Sequence, residues 1–357
     1  MKIIAAMSGG ADSSVAALQL KDKGYDVIGL TIKTWPDSLE KTSVADEINP
    51  CCSAEAISKA RRVAQKLNIP HYVVDLSEKF KKNVKKYFAL EYASGRTPNP
   101  CICCNSKIKF GYLFDEAKKL GAEKIATGHY SRIIHVRAGY FLAEAKDRKR
   151  DQSYFLCGIL KKRLKNIEFP LGETKGIDVR RIALEKGFVS REQKSSQDIC
   201  FTSGDGGYRK YLKDFGVDAF IAGSILDVNG KKIGEHKGIA SYTIGQRRGM
   251  GIASTEPLYV IDISREGNTI TVGSKSSAMR KKVMVKNINW LIADVPDDDM
   301  LLEVKIRYNS KKVWANVRFI KNDGAFVEFK DPQFAPCPGQ AAVFYKGEIV
   351  WGGGWIN

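Results

Sequence analysis

The feature that most restricts the fold of this chain is a change in hydrophobic period part-way along it. Up to about Cys200, short apolar runs alternate with helical patterns. Lys2–Met7, Asp26–Lys33, His71–Leu76 and Lys124–Thr127 read as strands. Between them lie a helix over Asp12–Lys23 closed by Gly24, and a helix opening at Ser53. In the second helix Ala54, Ile57, Ala60, Val63, Ala64 and Leu67 fall on one face. Ser77 is expected to cap a long Lys-rich helix ending near Gly95, and a further helix is expected from Asn105 onward. Strand–helix alternation of this kind calls for a parallel sheet covered by helices, with right-handed crossovers. Beyond Cys200 the period drops to two. Runs at 258–263 and 269–272 flank Arg265–Asn268 as a hairpin, and six alternating runs from Val283 to Trp355 indicate a small barrel. The expected architecture is therefore α/β, with a parallel-sheet domain over 1–200, a small mostly β connecting domain over 201–277 and a C-terminal β-barrel over 278–357.

Composition narrows the partners. The 357 residues suit two or three domains, and 43% hydrophobic with 27% charged residues excludes wholesale disorder or a collagen-like chain. No apolar run approaches the ~20 residues of a membrane helix, and the N-terminus lacks the apolar core of a signal peptide. A cytosolic protein without a membrane partner is expected. The net charge of +18 favours a polyanion, nucleic acid first, against the alternative of a Lys-rich surface serving solubility. Eight cysteines are clustered, which argues for thiol or metal chemistry and against a disulfide framework.

Ser8-Gly9-Gly10-Ala11-Asp12-Ser13 lies between the first strand and the first helix. Glycines allow a tight turn with exposed N–H groups, and the helix N-terminus adds positive potential. Ser8 and Ser13 bring hydroxyl donors, and Asp12 suits Mg²⁺. The Walker A signature is missing, which argues against an ordinary P-loop kinase or GTPase. Downstream, Thr97-Pro98-Asn99-Pro100-Cys101-Ile102-Cys103-Cys104-Asn105 places three cysteines in four residues just before a helix, where a thiol gains thiolate character. Cys200 sits far away in Ser195-Ser196-Gln197-Asp198-Ile199-Cys200-Phe201. A structural zinc site would need four ligands. Cys101 and Cys104 make one CxxC with no matching second pair, and the adjacent Cys51 and Cys52 chelate poorly together. Cys157 and Cys337 read as small buried apolar residues.

The SGGxDS string resembles the PP-loop of the N-type ATP pyrophosphatases, which implies an adenine nucleotide alpha hydrolase-like fold for the first domain. It implies ATP contacts from Ala6, Met7, Ser8, Gly9, Gly10, Ala11, Asp12 and Ser13. Ile32 would lie at adenine, with a plain core role as the alternative, and Gly128 would approach the nucleotide closely. The resemblance then becomes narrower. AMSGGADSSV, GRTPNPCICCN, ATGHY, KRDQSYFL, SSQDICF, GEHKGIASYTIGQRRGMGI, RYNS and PCPGQAAVFY together are similar to the bacterial tRNA-specific 2-thiouridylases, the MnmA family, over nearly the whole chain. That likeness implies a transferase of tRNA processing. ATP and Mg²⁺ would adenylate the C2 oxygen of the wobble uridine in tRNA for Lys, Glu and Gln, and sulfur would replace it. Cys104 would be the catalytic nucleophile and Cys200 the persulfide carrier, fed by a sulfur donor such as a cysteine desulfurase or a sulfur-relay protein. One departure stands out: many members have Asp where this chain has Cys101. Cys101, Cys104 and Cys200 could then hold a 4Fe–4S cluster with one open iron, so cluster and persulfide delivery both stay open. Cys103 is expected to be a bystander, with replacement of a neighbouring cysteine as the alternative.

For the tRNA anticodon stem-loop, the resemblance implies contacts from Asn99, His129, Arg150, Asp151, Gln152, Arg307, Tyr308 and Gln340. The stretch 146–165 carries eight Lys and Arg interleaved with Tyr154 and Phe155, which suits phosphate contact with stacking. Two rivals remain. A PP-loop enzyme of small metabolites would need neither a basic surface nor paired cysteines, and a non-catalytic RNA-binding protein would bind tRNA without ATP turnover.

Overall fold

The computed structural model describes residues 1–35, 54–192, 199–202, 207–217, 219–293, 299–320 and 324–357. Cys51, Cys52, Ser53 and Ser195–Asp198 lie outside them. The chain divides into two compact units, each drawn from separated stretches. The first comprises Met1–Val84, Cys101–Asp205 and Glu348–Trp351. The second comprises Lys85–Pro100, Gly206–Gly347 and Gly352–Asn357.

The first unit is built on β1 (Lys2–Ala6), β2 (Asp26–Lys33), β3 (His71–Asp75) and β4 (Lys124–Ala126), completed by the two-residue strand Ile167–Glu168. The order is β3-β2-β1-β4 and then Ile167–Glu168, all parallel, so strand order reverses beside β1. Ligands of open α/β sheets bind at such a reversal, beyond the carboxyl ends of the strands. Helices α1 (Ala11–Asp22) and α2 (Ala54–Lys66) cover the sheet. The expected face of α2 is buried at Ile57, Ala60, Val63, Ala64 and Leu67, whereas Ala54 is exposed and Ala56 is buried in its stead; Ala60, Val63, Ala64 and Leu67 pack with Ile3, Ala5, Val15 and Leu20 in the main core. Burying each such aliphatic side chain contributes about 1.5–3 kcal/mol.

Two expectations about helix starts are corrected. The Lys-rich helix begins at Ser77, but Ser77 is not its cap; Asp75 Oδ1 accepts the Ser77 N–H at 2.8 Å. Against the opposing effect of burial, the Ser77 hydroxyl, the Ser77 N–H and the Lys33 charge hold the Asp75 carboxyl below its ordinary pKa. The helix expected from Asn105 starts five residues earlier. Pro100–Cys103 forms one α-turn, Cys104–Tyr112 continues as a wider π-helix and Leu113–Lys119 returns to α. Pro100, lacking an N–H, suits a first turn. A hairpin that the sequence reading left out, β5 (Ser131–Val136) and β6 (Gly139–Glu144), follows β4 and pairs with Ile349 through Ala143.

In the second unit, β8 (Gly223–Leu226), β9 (Lys232–His236), β10 (Tyr259–Ser264) and β11 (Thr269–Gly273) form a sheet in the order β10-β11-β8-β9 (Ile167–Glu168 counting as β7). The hairpin around Arg265–Asn268 is present, with Asn268 in the left-handed region at φ 47°. Six strands follow: β12 (Met279–Trp290), β13 (Met300–Lys305), β14 (Val313–Ile320), β15 (Gly324–Phe334), β16 (Ala341–Lys346) and β17 (Ile349–Ile356). Their order β12-β15-β14-β13-β16-β17 closes into a barrel through pairing of β12 with β17, and the same sheet continues from β17 to β6 and β5. Alternate residues such as Leu302, Val304, Ala315, Val317, Val327 and Phe329 fill the interior. The α/β half, the connecting β sheet and the barrel are thus all present.

Candidate active site

The SGGADS loop leaves β1 and enters α1 at the strand-order reversal. Gly9 adopts φ +72°, and a Cβ there would lie 2.6 Å from the Ala56 carbonyl oxygen and 2.8 Å from Lys59 Cβ. Only glycine fits this cradle. Ser13 braces the loop: its hydroxyl donates to the Gly10 carbonyl at 3.1 Å and accepts the Ser8 N–H at 3.1 Å. Ser8 Oγ lies 3.2 Å from Ser13 Oγ, and Ser8 is the exposed member of the pair. The α1 ladder opens with Ser14 N–H to Gly10 C=O, so the amides of Ala11, Asp12 and Ser13 lie ahead of it. Such amides and the helix dipole suit a polyphosphate. Ala6 and Met7 end the strand beneath the loop, and Ile32 is half-buried on β2 opposite Val74.

Gly128 makes its close approach to protein. A Cβ there would lie 2.7 Å from both Asp12 C and Ser13 N, so the backbone after β4 packs onto the first turn of α1. Tyr130, two residues on, is buried and donates its phenol proton to Asp12 Oδ1 at 2.7 Å. Burial first, and then the Asp12 carboxylate, push this phenol above its ordinary pKa, which keeps the proton on the oxygen. The Arg150 guanidinium lies 5.2 Å from the Tyr130 ring centroid. Gln152 exchanges two bonds with the Tyr130 backbone: its Oε1 accepts the Tyr130 N–H at 3.0 Å and its own N–H donates to the Tyr130 carbonyl at 2.8 Å. The sequence reading missed Tyr130; its place in ATGHY, beside Gly128 and His129, was the available signal.

His129 is a neutral imidazole. Desolvation, helped by Lys109, holds its pKa well below the ordinary value. Lys109 Nζ lies 3.4 Å from Nε2 and Thr127 Oγ1 lies 2.7 Å from Nδ1. With an ammonium facing Nε2, that nitrogen accepts and Nδ1–H donates. Any RNA contact of His129 is then one of shape or hydrogen bonding, without a positive charge. Asp151 is turned inward: its carboxylate accepts the Ala145 N–H at 2.9 Å and the Ser153 hydroxyl at 2.7 Å. Tyr154 is 0% exposed, so the expectation that it stacks on a base is corrected. In that stretch half-buried Phe155 carries its carbonyl to Asn105 Nδ2 at 3.0 Å.

Cys101, Cys103, Cys104 and Cys200 are half-buried, whereas Cys157 and Cys337 are buried. Burial, with Cys103 as a neighbour, pushes the Cys157 thiol up to about 12, consistent with an inert core residue. Cys101 stands in the first turn after Pro100, and Cys104 follows one turn later. The expected dipole benefit therefore falls on Cys101 more than on Cys104. Among the described residues no group of three His, Cys, Asp or Glu side chains is placed to hold a metal ion. The residues described thus do not gather Cys101, Cys104 and Cys200 into a cluster site.

In the second unit the Thr97–Asn99 segment is held by residues distant in sequence. Gln340 Nε2 donates to the carbonyls of Thr97 at 3.0 Å and Pro98 at 3.2 Å. The Thr97 N–H donates to the Pro338 carbonyl at 2.8 Å, and Thr97 Oγ1 donates to Thr243 Oγ1 at 3.3 Å. Asn99 is buried. A cavity of about 380 Å³ opens beside this clamp, lined by Thr97, Thr243, Gln246, Arg307, Cys337 and Gln340 among others. Arg307 braces its wall through the Ala335 carbonyl, and Lys305 lies 5.4 Å from the Tyr308 ring centroid.

Comparison with known proteins matches this organisation. Family models describe residues 1–204 as a tRNA methyl transferase HUP domain, 209–274 as a tRNA methyl transferase PRC-barrel domain and 280–356 as an aminomethyltransferase beta-barrel domain. The tRNA-specific 2-thiouridylase MnmA of Carboxydothermus hydrogenoformans is 42% identical over 358 residues, covering 100% of this chain and 97% of that protein. The protein of the same name from Clostridium perfringens is 41% identical over 356 residues, covering 100% and 98%. That of Rickettsia prowazekii is 42% identical over 356 residues, covering 99% and 98%. Identity at this level across all three matched segments, joined to a glycine-cradled phosphate loop, places the chain in the tRNA-specific 2-thiouridylase family.

Proposed function

We propose that the chain thiolates C2 of the wobble uridine in tRNA for Lys, Glu and Gln by way of an adenylated base. ATP bound at Ser8–Ser13, with Mg²⁺ at Asp12, is attacked at its α-phosphorus by the C2 oxygen, and pyrophosphate leaves. A persulfide on Cys200 attacks C2, and AMP departs with the former oxygen. The Cys104 thiolate then attacks the Cys200 sulfur; a Cys104–Cys200 disulfide forms and the thiocarbonyl base is released. An external thiol reduces the disulfide, and a cysteine desulfurase or sulfur-relay protein reloads Cys200. The cytoplasm supplies both tRNA and reductant; among the described residues no helix is long and apolar enough to cross a membrane.

The observation that carries this reading is the phosphate loop in the same unit as the thiol-bearing helix. The buried Asn105 Oδ1, next to Cys104, has no hydrogen-bond partner, and such an acceptor suits a uracil N3–H. Delivery through the persulfide is favoured because the described residues bring no three metal ligands together. The test is thiolation of unmodified tRNA by purified protein with ATP, Mg²⁺ and a persulfide source, read as 2-thiouridine and AMP. Activity surviving a strong iron chelator, with no acid-labile sulfide in the protein, is the expected result. AMP formation driven by a small acid instead of tRNA would replace this reading with the metabolite enzyme.

A further inference from the structure

The two oxygens of the Asp12 carboxylate are placed differently. Oδ1 accepts the Tyr130 phenol proton at 2.7 Å. Oδ2 has no hydrogen-bond or ion-pair partner among the described residues. Asp12 is half-buried in the first turn of α1, beside the open amides of the phosphate loop. Both ends of the phenol bond are set by backbone. Tyr130 is 2% exposed, and Gln152 holds it at its N–H and at its carbonyl. Gly128, two residues earlier, lies so close to α1 that a Cβ there would be 2.7 Å from Asp12 C and from Ser13 N. A carboxylate gripped at one oxygen presents the other in a fixed direction. One such oxygen beside amides that suit a polyphosphate fits a cation shared with phosphate, which is the use the function proposed above makes of Asp12 and on which this inference rests.

We propose that Tyr130 is a positioning residue that sets the cation preference of the nucleotide site: by engaging Oδ1 it leaves Asp12 one oxygen to offer, and so selects Mg²⁺ over Ca²⁺. Mg²⁺ demands near-octahedral geometry, keeps several waters and is held by a carboxylate together with substrate phosphates. Ca²⁺ is larger, takes more oxygens and readily uses both oxygens of one carboxylate. A carboxylate with one oxygen engaged and its plane held serves the first habit and denies the second. Loss of the phenol bond has two consequences. The carboxylate can turn, which weakens any cation that relied on its direction. Oδ1 also comes free as a second ligand, which benefits Ca²⁺ and not Mg²⁺. The Mg²⁺ complex therefore loses more than the Ca²⁺ complex, and the preference shrinks.

The experiment is equilibrium binding of non-cleavable α,β-methylene ATP to the full chain in three conditions: saturated with Mg²⁺, saturated with Ca²⁺, and free of divalent cations. The wild-type chain should bind the Mg²⁺ complex more tightly than the Ca²⁺ complex. Tyr130→Phe keeps the ring and removes the donor. In this variant the Mg²⁺ complex should weaken by about 10- to 100-fold. The Ca²⁺ complex should weaken less, so that the ratio of the two moves towards one, and the cation-free nucleotide should bind as it does to wild type. A merely structural role for Tyr130 would weaken all three conditions alike and leave the ratio unchanged. That result overturns the inference, as does a wild-type ratio retained in Tyr130→Phe with all affinities unchanged. Equal binding of the two complexes by wild type also overturns it, while leaving Asp12 as a cation ligand and the thiouridylase reading intact. Wild-type binding that no divalent cation improves removes both this inference and the cation at Asp12.

Discussion

The phosphate loop and the Thr97–Asn99 segment are held in opposite ways. The loop is closed by bonds that span three to five residues, Ser13 to Gly10 and Ser8 to Ser13. Thr97 and Pro98 are held by Gln340, with Pro338 and Thr243 as further supports, the Gln340 bonds spanning 243 and 242 residues. Local closure specifies itself in a short string. Distant closure specifies itself only once the barrel has formed. The first kind of site can be recognised from six letters, while the second shows only isolated polar residues until the fold is known.

Substitutions can break this comparison on either side. The largest effect is expected for Cys104→Ala, which should abolish 2-thiouridine formation and leave equilibrium ATP binding within experimental scatter of wild type. Next is Gly9→Ala. A side chain there meets the Ala56 backbone at 2.6 Å in a left-handed conformation, so stability should fall by about 1–3 kcal/mol, read by urea denaturation, and nucleotide affinity should collapse with it. Gln340→Ala removes two hydrogen bonds to backbone carbonyls and should cost about 1–3 kcal/mol. It sharpens the contrast if thiolation falls while nucleotide affinity is unchanged; a loss of nucleotide affinity would deny that the two sites are separately held.

The smallest effect concerns pH. Burial lowers the pKa of His129, His71 and His236 in the folded chain below the ordinary 6.5. Below that pH the unfolded chain binds protons that the folded chain refuses, so stability falls with falling pH. Above it both states are neutral at these rings and the contribution is fully present. Denaturation midpoints should be flat from pH 7 to 8 and drop as pH falls below 6.5. His129→Gln, which retains a Thr127 and Lys109 partner, should make that drop shallower.

Much of the first unit was legible because its signals are local. The four strands, α1 and the buried face of α2 follow from period and from Gly24 at a helix end. The barrel was equally legible, since inward residues alternate in β13, β14 and β15. The failures share a cause. Tyr154 carries an interfacial type of side chain in a basic stretch, yet it is fully buried, and composition does not report which way a ring turns. The β5–β6 hairpin was overlooked although its six-residue strands are as long as those that were read; its pairing is completed by Ile349, 206 residues beyond Ala143.

That last pairing has a bearing on biosynthesis. Glu348–Trp351 belong to the first unit and Lys85–Pro100 to the second, so each unit contains a piece of the other's stretch of chain. A nascent polypeptide emerging N-terminus first can form the parallel sheet early, but the β6 edge waits for Ile349, and Arg132 waits for the Glu348 carboxylate it pairs with. The helix Lys86–Ala93 likewise waits for partners such as Tyr208, which stacks on Tyr92, and Tyr211, which meets Phe88 edge-on. Domain-by-domain maturation during translation is therefore left unfinished until Glu348–Trp351 have been made. A stop codon shortly before Glu348 should yield a chain that chaperones and proteases treat as incomplete throughout, not one lacking a single terminal module.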